Sequence, residues 1–342
     1  MKILVTGADG FIAKNLIVYL KERDYNDIMC FTRGCDLAAM ANEADFVFHL
    51  AGVNRPNHVS EFDEGNVDVT ASLINALTRA NNNAPIVLAS SIQADLDNPY
   101  GKSKAAAERA VLKYQEDTFS KVYVYRLPNV FGKWCKPNYN SVIATFCYNL
   151  VNDLPISIKD ANSPLNLVYI DDVCSSFINI LDAPVNPGFV DIDPIYQTTV
   201  GQVATILQKF KLSRDQLLTD DVGQGLIRAL YSTFLSYYRP GQFSYIVPSY
   251  TDSRGTFVEM LKTHNAGQFS FFTAYPGVTR GGHYHHSKNE KFLIIKGTSR
   301  FRFKHIMSGE FYEQTIEASD YTIIETVPGW SHDITNIGDD EL

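Results

Sequence analysis

The chain has 342 residues, 45% hydrophobic and 20% charged, with a net charge of −8. That length exceeds what one hydrophobic core usually supports, so two domains are expected. The acidic balance argues against a nucleic-acid or anionic-membrane partner, which would need a basic surface. Five cysteines (Cys30, Cys35, Cys135, Cys147, Cys174) in no metal-type spacing read as reduced thiols. With no membrane-length apolar run and no signal-peptide pattern, a cytoplasmic protein is expected.

Residues 2–6 form a short apolar run, as a buried parallel strand requires. Gly7-Ala8-Asp9-Gly10-Phe11-Ile12-Ala13 follows and opens an amphipathic segment through Leu20. Strand, glycine turn and helix aim backbone amides, those of Phe11 and Ile12 included, at a phosphate. Gly7 permits the tight turn, Gly10 the close approach of a pyrophosphate, and Ala13 close helix–strand packing. The second strand, Ile28 to Thr32, ends at Arg33. An acid there would bind the ribose hydroxyls of NAD, whereas an arginine suits the 2′-phosphate of NADP. The nearest acid is Asp36, and NADPH is the expected cofactor. Asp45 to Gly52 is a further strand closed by a small-residue turn, Leu50-Ala51-Gly52, able to approach the cofactor. His49, inside that apolar stretch, reads as a core residue. Asn66 to Ala80 is helical, and the strand Pro85 to Ala89 delivers Ser90 and Ser91 at its carboxyl end, where open α/β sheets bind ligands.

Ser91, Tyr100 and Lys104 then form a chemical kit. A phenol with a pKa near 10 is a poor proton donor or acceptor at neutral pH, and an adjacent ammonium favours the phenolate and brings that value down. The i, i+4 spacing puts Tyr100 and Lys104 on one helix face, and a Ser91 hydroxyl nearby can hold a carbonyl oxygen that gains or loses charge. Tyr-x-x-x-Lys alone arises by chance in many chains; its surroundings decide its weight.

Those surroundings are Thr6-Gly-x-x-Gly-x-x-Ala13, His49-Leu-Ala-Gly52, Ser90-Ser91, Tyr100-x-x-x-Lys104, Arg126-x-x-Asn129-Val-Phe-Gly132 and Val168-Tyr-Ile-Asp-Asp172-Val173, in that order. Together they resemble the extended short-chain dehydrogenase/reductases that act on nucleotide sugars, over about residues 1–235. The resemblance implies a Rossmann-type doubly wound parallel sheet. It also implies Ser91, Tyr100 and Lys104 as the catalytic triad, with Lys104 also holding the nicotinamide ribose. Asn129, Lys133 and Asn138, on and after a predicted strand, are expected substrate contacts. Asp171-Asp172 reads as a turn opening a helix, with Asp as the cap, rather than as a metal pair. Residues 196–235 read as helices closing the substrate side.

Arg239-Pro240-Gly241 punctuates the chain, and the character changes to short β-type runs separated by glycine and proline. The expected organisation is a reductase domain over 1–240 and an all-β domain over 241–342. In the latter, His283 and His285 at i, i+2 share one face of a strand. With Glu290 and His332 they give three imidazoles and one carboxylate, a set suited to zinc, iron, manganese or nickel; a divalent metal, zinc first, is expected. The spacing resembles the two motifs of the cupins, which implies a jelly-roll fold. His286 lies at the opposite phase and is not expected to ligate.

Asp252-Ser-Arg254-Gly255-Thr-Phe257-x-Glu259 and Arg280-Gly-Gly-His283-Tyr284-His285 also resemble the cupin keto-sugar epimerases of deoxysugar pathways. On that resemblance Lys291 falls at an active-site lysine that could stabilise an enolate oxygen. The base is open between Tyr284 and a residue of a second subunit. The whole chain resembles the bifunctional capsular-polysaccharide enzymes that join such a reductase to a cupin. The resemblance implies a homodimer that takes a UDP-linked 2-acetamido-2,6-dideoxy-4-keto-hexose. The sugar would be epimerised at C3 and reduced at C4 with NADPH to UDP-2-acetamido-2,6-dideoxy-L-talose, a precursor of N-acetyl-L-fucosamine. Three other readings compete: a ketoreductase whose cupin is structural or dimerising only, an NADP(H) sensor with a degenerate reductase domain, and a cupin dioxygenase. The chain ends at Gly338-Asp-Asp-Glu-Leu342, where a cupin barrel would continue with another strand; a truncated chain is expected.

Overall fold

The apolar runs alternate with amphipathic segments, and the computed structural model, which describes residues 1–183 and 185–342, folds them accordingly. The chain runs β1 (Ile3–Thr6), α1 (Phe11–Glu22), β2 (Ile28–Phe31), α2 (Leu37–Glu43), β3 (Phe46–His49), a single turn α3 (Ser60–Phe62), α4 (Val69–Arg79), β4 (Ile86–Ser91), α5 (Pro99–Thr118) and β5 (Val122–Leu127). It continues through β6 (Asn129–Phe131), α6 (Val142–Val151), β7 (Pro164–Tyr169), α7 (Ile170–Asp182), β8 (Gly188–Phe189), β9 (Tyr196–Thr199), α8 (Val200–Gln216), β10 (Leu218–Thr219) and α9 (Gly225–Leu235). The stretch expected as helix from residue 196 begins instead with the strand β9, antiparallel to β7, where two threonines precede Val200.

A six-stranded parallel sheet has the order β2-β1-β3-β4-β5-β8. The order reverses between β1 and β3, which opens a crevice at their carboxyl ends. Side chains alternate across the sheet. Ile3, Val5, Phe46, Phe48 and Val87 pack with Leu16 and Leu20 of α1 and Phe177 of α7. Leu4, Val47, Ile86 and Leu88 pack with Ala41, Leu73, Leu77 and Val111 of α2, α4 and α5. Both faces are covered, so these strands carry apolar residues at nearly every position.

The chain divides into two units, residues 1–212 with 221–243, and residues 213–220 with 244–342. The second is antiparallel and strand-rich, as the punctuation after Arg239 led one to expect. It contains β11 (Ser249–Asp252), β12 (Gly255–Thr263), β13 (Gln268–Phe272), β14 (Thr279–His283), β15 (Lys291–Leu293), β16 (Thr298–His305), β17 (Phe311–Glu317), β18 (Ile323–Glu325) and β19 (Trp330–Asn336). One sheet has the order β14-β19-β16-β17, a second joins β10, β11 and β13 to β12, and β15 pairs with β18. Phe301, Phe303, Ile316, Ile324 and Ile334 form its core. Asn336 is fully buried and knots the end of the chain, donating to the carbonyls of Ala274 at 2.7 Å and Asp340 at 2.8 Å. Among the described residues no helix is long and apolar enough to cross a membrane.

Candidate active sites

In the first unit the glycine turn after β1 closes onto the exit of β3. Gly7 has φ +66°, and a Cβ there would lie 2.7 Å from the Ala51 Cα, so glycine is what lets the two turns touch. Gly10 is the N-cap of α1 and offers no side chain to the first-turn amides, which include those of Phe11 and Ile12. This end of α1 can therefore take a pyrophosphate. The Leu50 and Ala51 amides donate to Thr6 Oγ1 at 3.2 Å each. Having accepted both, the Thr6 hydroxyl gives its own proton to His49 Nδ1 at 2.7 Å. His49 then carries its proton on Nε2 and donates to Thr70 Oγ1 at 2.8 Å, and Thr70 donates to the Asn66 carbonyl at 2.6 Å. Burial, with a smaller push from Lys104, brings His49 down to about 3. It is a neutral core residue.

Past β2, Arg33 is exposed. Asp36 is occupied as the N-cap of α2, accepting the Ala39 amide at 3.1 Å.

Ser91 ends β4, buried, with its Oγ accepting the Gln93 amide at 3.2 Å. Asn98 caps α5 by accepting the Gly101 amide at 2.8 Å, and Pro99 occupies the first turn, which fixes where Tyr100 emerges. The Tyr100 ring lies against Phe62 at 5.6 Å. Burial pushes its phenol above the ordinary value, and a hydrogen bond to Ser91 draws it partly back. Lys104 is 7% exposed and its Nζ donates to the Ala89 carbonyl at 3.0 Å. Burial brings this lysine down to about 8, opposed by Glu108. The downward pull expected of Lys104 is not among the causes that set the phenol: desolvation is the leading effect at both groups. A Cβ on Gly52 would lie 3.1 Å from Lys104 Nζ, so the Leu50–Gly52 turn reaches the ammonium. Together, the open end of α1, the Gly7–Ala51 contact and the Gly52–Lys104 approach fit a dinucleotide.

Nothing in the sequence pattern singles out Asn66, yet it is 2% exposed and lies in a π-helical stretch, Asp63–Asp68. Its Oδ1 accepts the Val53 amide at 3.0 Å, and its Nδ2 donates to the Val53 carbonyl at 3.0 Å and to Ser103 Oγ at 2.9 Å. It ties the β3 exit loop to the turn of α5 that holds Lys104. The available signal was an asparagine near the start of a predicted helix; π-turns of this kind gather at functional sites.

Asn129 on β6 and Asn138 are exposed. Lys133 does not stand open beside them. Its Nζ pairs with Asp171 Oδ1 at 2.6 Å and lies over the rings of Tyr19 and Trp134, at 5.4 and 5.6 Å. Its charge binds the loop to α7. Asp171 is likewise not a cap; Tyr169 is the N-cap, without a side-chain bond, and Asp171 lies in the first turn.

In the second unit β14 and β19 set His283 opposite His332, after a bulge between Gly281 and His283. Ligating atoms of His283, His285, Glu290 and His332 all lie within 4.8 Å of one another. Glu290 Oε2 is 3.2 Å from Nε2 of both His285 and His332. Its main chain is fixed by Thr326, whose Oγ1 accepts the Glu290 amide at 2.8 Å. Burial would raise Glu290, but Lys288 at 2.7 Å and His285 hold it below the ordinary carboxylate value. Burial and His283 hold His332 low. Both shifts favour the deprotonated forms that bind metal, and the donor set fits a divalent transition metal, zinc included.

Lys291 does not share this site. Strand alternation puts Phe292 inward, its ring 6.5 Å from that of His332. Lys291 is therefore on the outer face, exposed and paired with Glu325 at 3.2 Å.

A parallel sheet with a glycine-turn crevice, and a serine, tyrosine and lysine at its carboxyl edge, defines a short-chain dehydrogenase/reductase-type protein. The chain belongs to the NAD dependent epimerase/dehydratase family, whose model matches residues 3–192, while the polysaccharide biosynthesis C-terminal domain matches residues 250–342. It is 51% identical to the UDP-2-acetamido-2,6-beta-L-arabino-hexul-4-ose reductase of Pseudomonas aeruginosa, over 100% of this chain and 93% of that protein. The capsular polysaccharide assembling protein CapF from Staphylococcus aureus superposes with a TM-score of 0.91 at 40% identity, covering 100% of this chain and 94% of that one. UDP-glucuronic acid 4-epimerase from Bacillus cereus, at 18% identity and a TM-score of 0.59, covers 69% of this chain and 98% of its own, and shares the fold.

Proposed function

We propose that this chain reduces the C4 ketone of a UDP-linked 2-acetamido-2,6-dideoxy-4-keto-hexose with NADPH, after epimerising C3 of the same sugar in its second unit. The product would be UDP-2-acetamido-2,6-dideoxy-L-talose. The observation that carries the reductase is the convergence of Ser91, Tyr100 and Lys104 at the carboxyl ends of β4 and α5's first turns, next to the Gly52 turn. The name of the Pseudomonas aeruginosa relative, a 4-ulose reductase, supports the substrate class.

NADPH, when bound, supplies the hydride that reduces C4. The Ser91 hydroxyl orients the C4 oxygen. Tyr100 gives that oxygen its proton, acting as general acid, and Lys104 stabilises the phenolate that is left. Exposed Arg33, with Asp36 already committed to its cap, supports NADPH over NADH. In the second unit, His283, His285, Glu290 and His332 would hold a divalent metal, which would polarise the sugar's keto oxygen. The residue that moves the C3 proton stays open between Tyr284, exposed with its ring 5.3 Å from that of His286, and a residue of a second subunit.

Chemistry fixes the order. The C3 hydrogen is acidic only while C4 is a ketone, so epimerisation precedes reduction. The test is incubation with the UDP-4-keto-6-deoxy sugar in deuterated water, with and without NADPH. Deuterium at C3 without NADPH, together with NADPH oxidation that is lost in Tyr100→Phe, is the expected result. Reduction by Tyr100→Phe as fast as by the wild type would overturn the assignment.

A further inference from the structure

One turn beyond Lys104 on α5 lies a carboxylate that the reaction just described does not use. Glu108 is 3% exposed. Its Oε1 accepts from the Ser90 hydroxyl and from Arg126 Nε at 3.0 Å, and its Oε2 accepts from Arg126 Nη2 at 2.7 Å. Arg126 on β5 is the register partner of Ser90 on β4 and also reaches Asp95 at 2.8 Å, in the short helical turn that follows Ser91. A carboxylate taken out of water is costly unless paired, and this one is paired across three elements that all meet at the catalytic edge.

We propose that Glu108, clamped by Arg126, is a positioning residue of the ketone reduction that acts through Lys104. This rests on the reading of Lys104 as part of the reductase machinery. Tyr100, Lys104 and Glu108 succeed one another at i, i+4 and i+8, along one face of the helix. The other groups facing Lys104 carry no opposing charge. They are the neutral His49 from β3, the Gly52 turn with the Asn66 amide, and the Ala89 carbonyl of β4. Glu108 is the negative charge that offsets the cost of burying the Lys104 ammonium, in line with the opposition it offers to that lysine's lowering by burial. Arg126 in turn sets how much of that field reaches Lys104, and by its bond to Asp95, with Ser90 held on Glu108, it ties down the segment around Ser91.

Neutralising each partner should move the pH dependence in opposite directions. Reduction needs the charged lysine, so wild-type kcat/KM should fall as pH rises through about 8. Glu108→Gln keeps the shape and removes the charge. Its fall should come at lower pH by about one unit, leaving near wild-type rates at pH 6 and rates about fivefold below wild type at pH 8. Arg126→Met leaves the Glu108 charge less screened, and its fall should move to higher pH. Glu108→Asp should restore the wild-type midpoint. NADPH oxidation with the 4-keto UDP-sugar is followed from pH 5.5 to 9.5, with thermal melting as the check on folding. Uniformly lower rates with an unmoved midpoint in both variants would overturn the proposal and make the cluster a structural tie only. If Glu108→Gln does not fold, Arg126→Met against Glu108→Asp decides the same question by the sign of the shift. A Lys104→Met variant that reduces the ketone at the wild-type rate would instead overturn the underlying reading of Lys104.

Discussion

Lys104 Nζ donates to the Ala89 carbonyl at 3.0 Å, two residues before Ser91 on the same strand. The ammonium is thereby anchored to the strand that carries the serine. Replacing Lys104 with Met should lower NADPH-dependent reduction by about 10²–10⁴-fold, the range of general acid–base contributions. Fold stability should change by only about 1 kcal/mol for the lost hydrogen bond. Single-turnover rates and urea unfolding of the same variant measure the two effects; rates within a factor of about three of wild type would contradict the role.

The cofactor preference should rest on Arg33. On the proposed NADPH specificity, Arg33→Ala would remove a charge-assisted contact to the 2′-phosphate, about 1.5–3 kcal/mol, and KM for NADPH should rise about 10- to 100-fold. KM for NADH should hardly move. Equal changes for both cofactors would show that Arg33 does not discriminate between them.

The second unit should lose its metal and its chemistry together. Glu290→Gln weakens a donor that approaches two imidazoles at 3.2 Å. Metal affinity should drop by at least about 100-fold, the upper end of what supporting residues around metal ligands contribute. Deuterium incorporation at C3 should disappear, while reduction of a ketone already epimerised should continue. Metal content by atomic absorption and exchange by NMR are the readouts. Full exchange in a metal-free variant would leave the four ligands without a catalytic role.

Acid should destabilise the first unit through His49. Its folded pKa is about 3, well below the 6.5 of an unfolded histidine. The unfolded chain therefore binds the extra proton between those values, and stability contributed by this group is full above pH 6.5 and lost as pH falls towards 3. The limiting slope is about 1.4 kcal/mol per pH unit for one proton. Urea unfolding followed by a probe in the first unit, at several pH values from 7.5 to 4.5, should show this slope in the wild type and less of it in His49→Gln.

What the sequence disclosed and what it withheld have separate physical causes. Gly7, Gly10, Ser91, Tyr100 and Lys104 are legible because strand-turn-helix periodicity puts them at the ends of elements, and the cluster of His283, His285, Glu290 and His332 because its spacing repeats a strand face and its partner. Pairings between distant segments are not. Lys133 carries a visible charge, but its partner Asp171 lies 38 residues on and across the sheet. Arg126 and Glu108 stood within quoted or neighbouring motifs, yet only the β4–β5 register brings them to Ser90. Lys291 was named by resemblance, while the apolar Phe292 beside it marks which face of β15 turns inward. Tyr100 was expected to sit low because charge proximity is easy to see in a sequence, whereas burial, which raises it, is not.

The run from the Leu50 and Ala51 amides through Thr6, His49 and Thr70 to the Asn66 carbonyl has a direction. Each hydroxyl and the imidazole has one proton to give and passes it the same way, and with amides that only donate at one end and a carbonyl that only accepts at the other, the direction is fixed. Hydrogen bonds ordered in this way polarise one another. The Leu50–Gly52 turn and the π-helical asparagine beside α5 are thus fixed as a single polarised chain. A substitution anywhere along it, even Thr70→Val at its far end, should be felt at Gly52 as a change in how the nicotinamide half of the site is shaped.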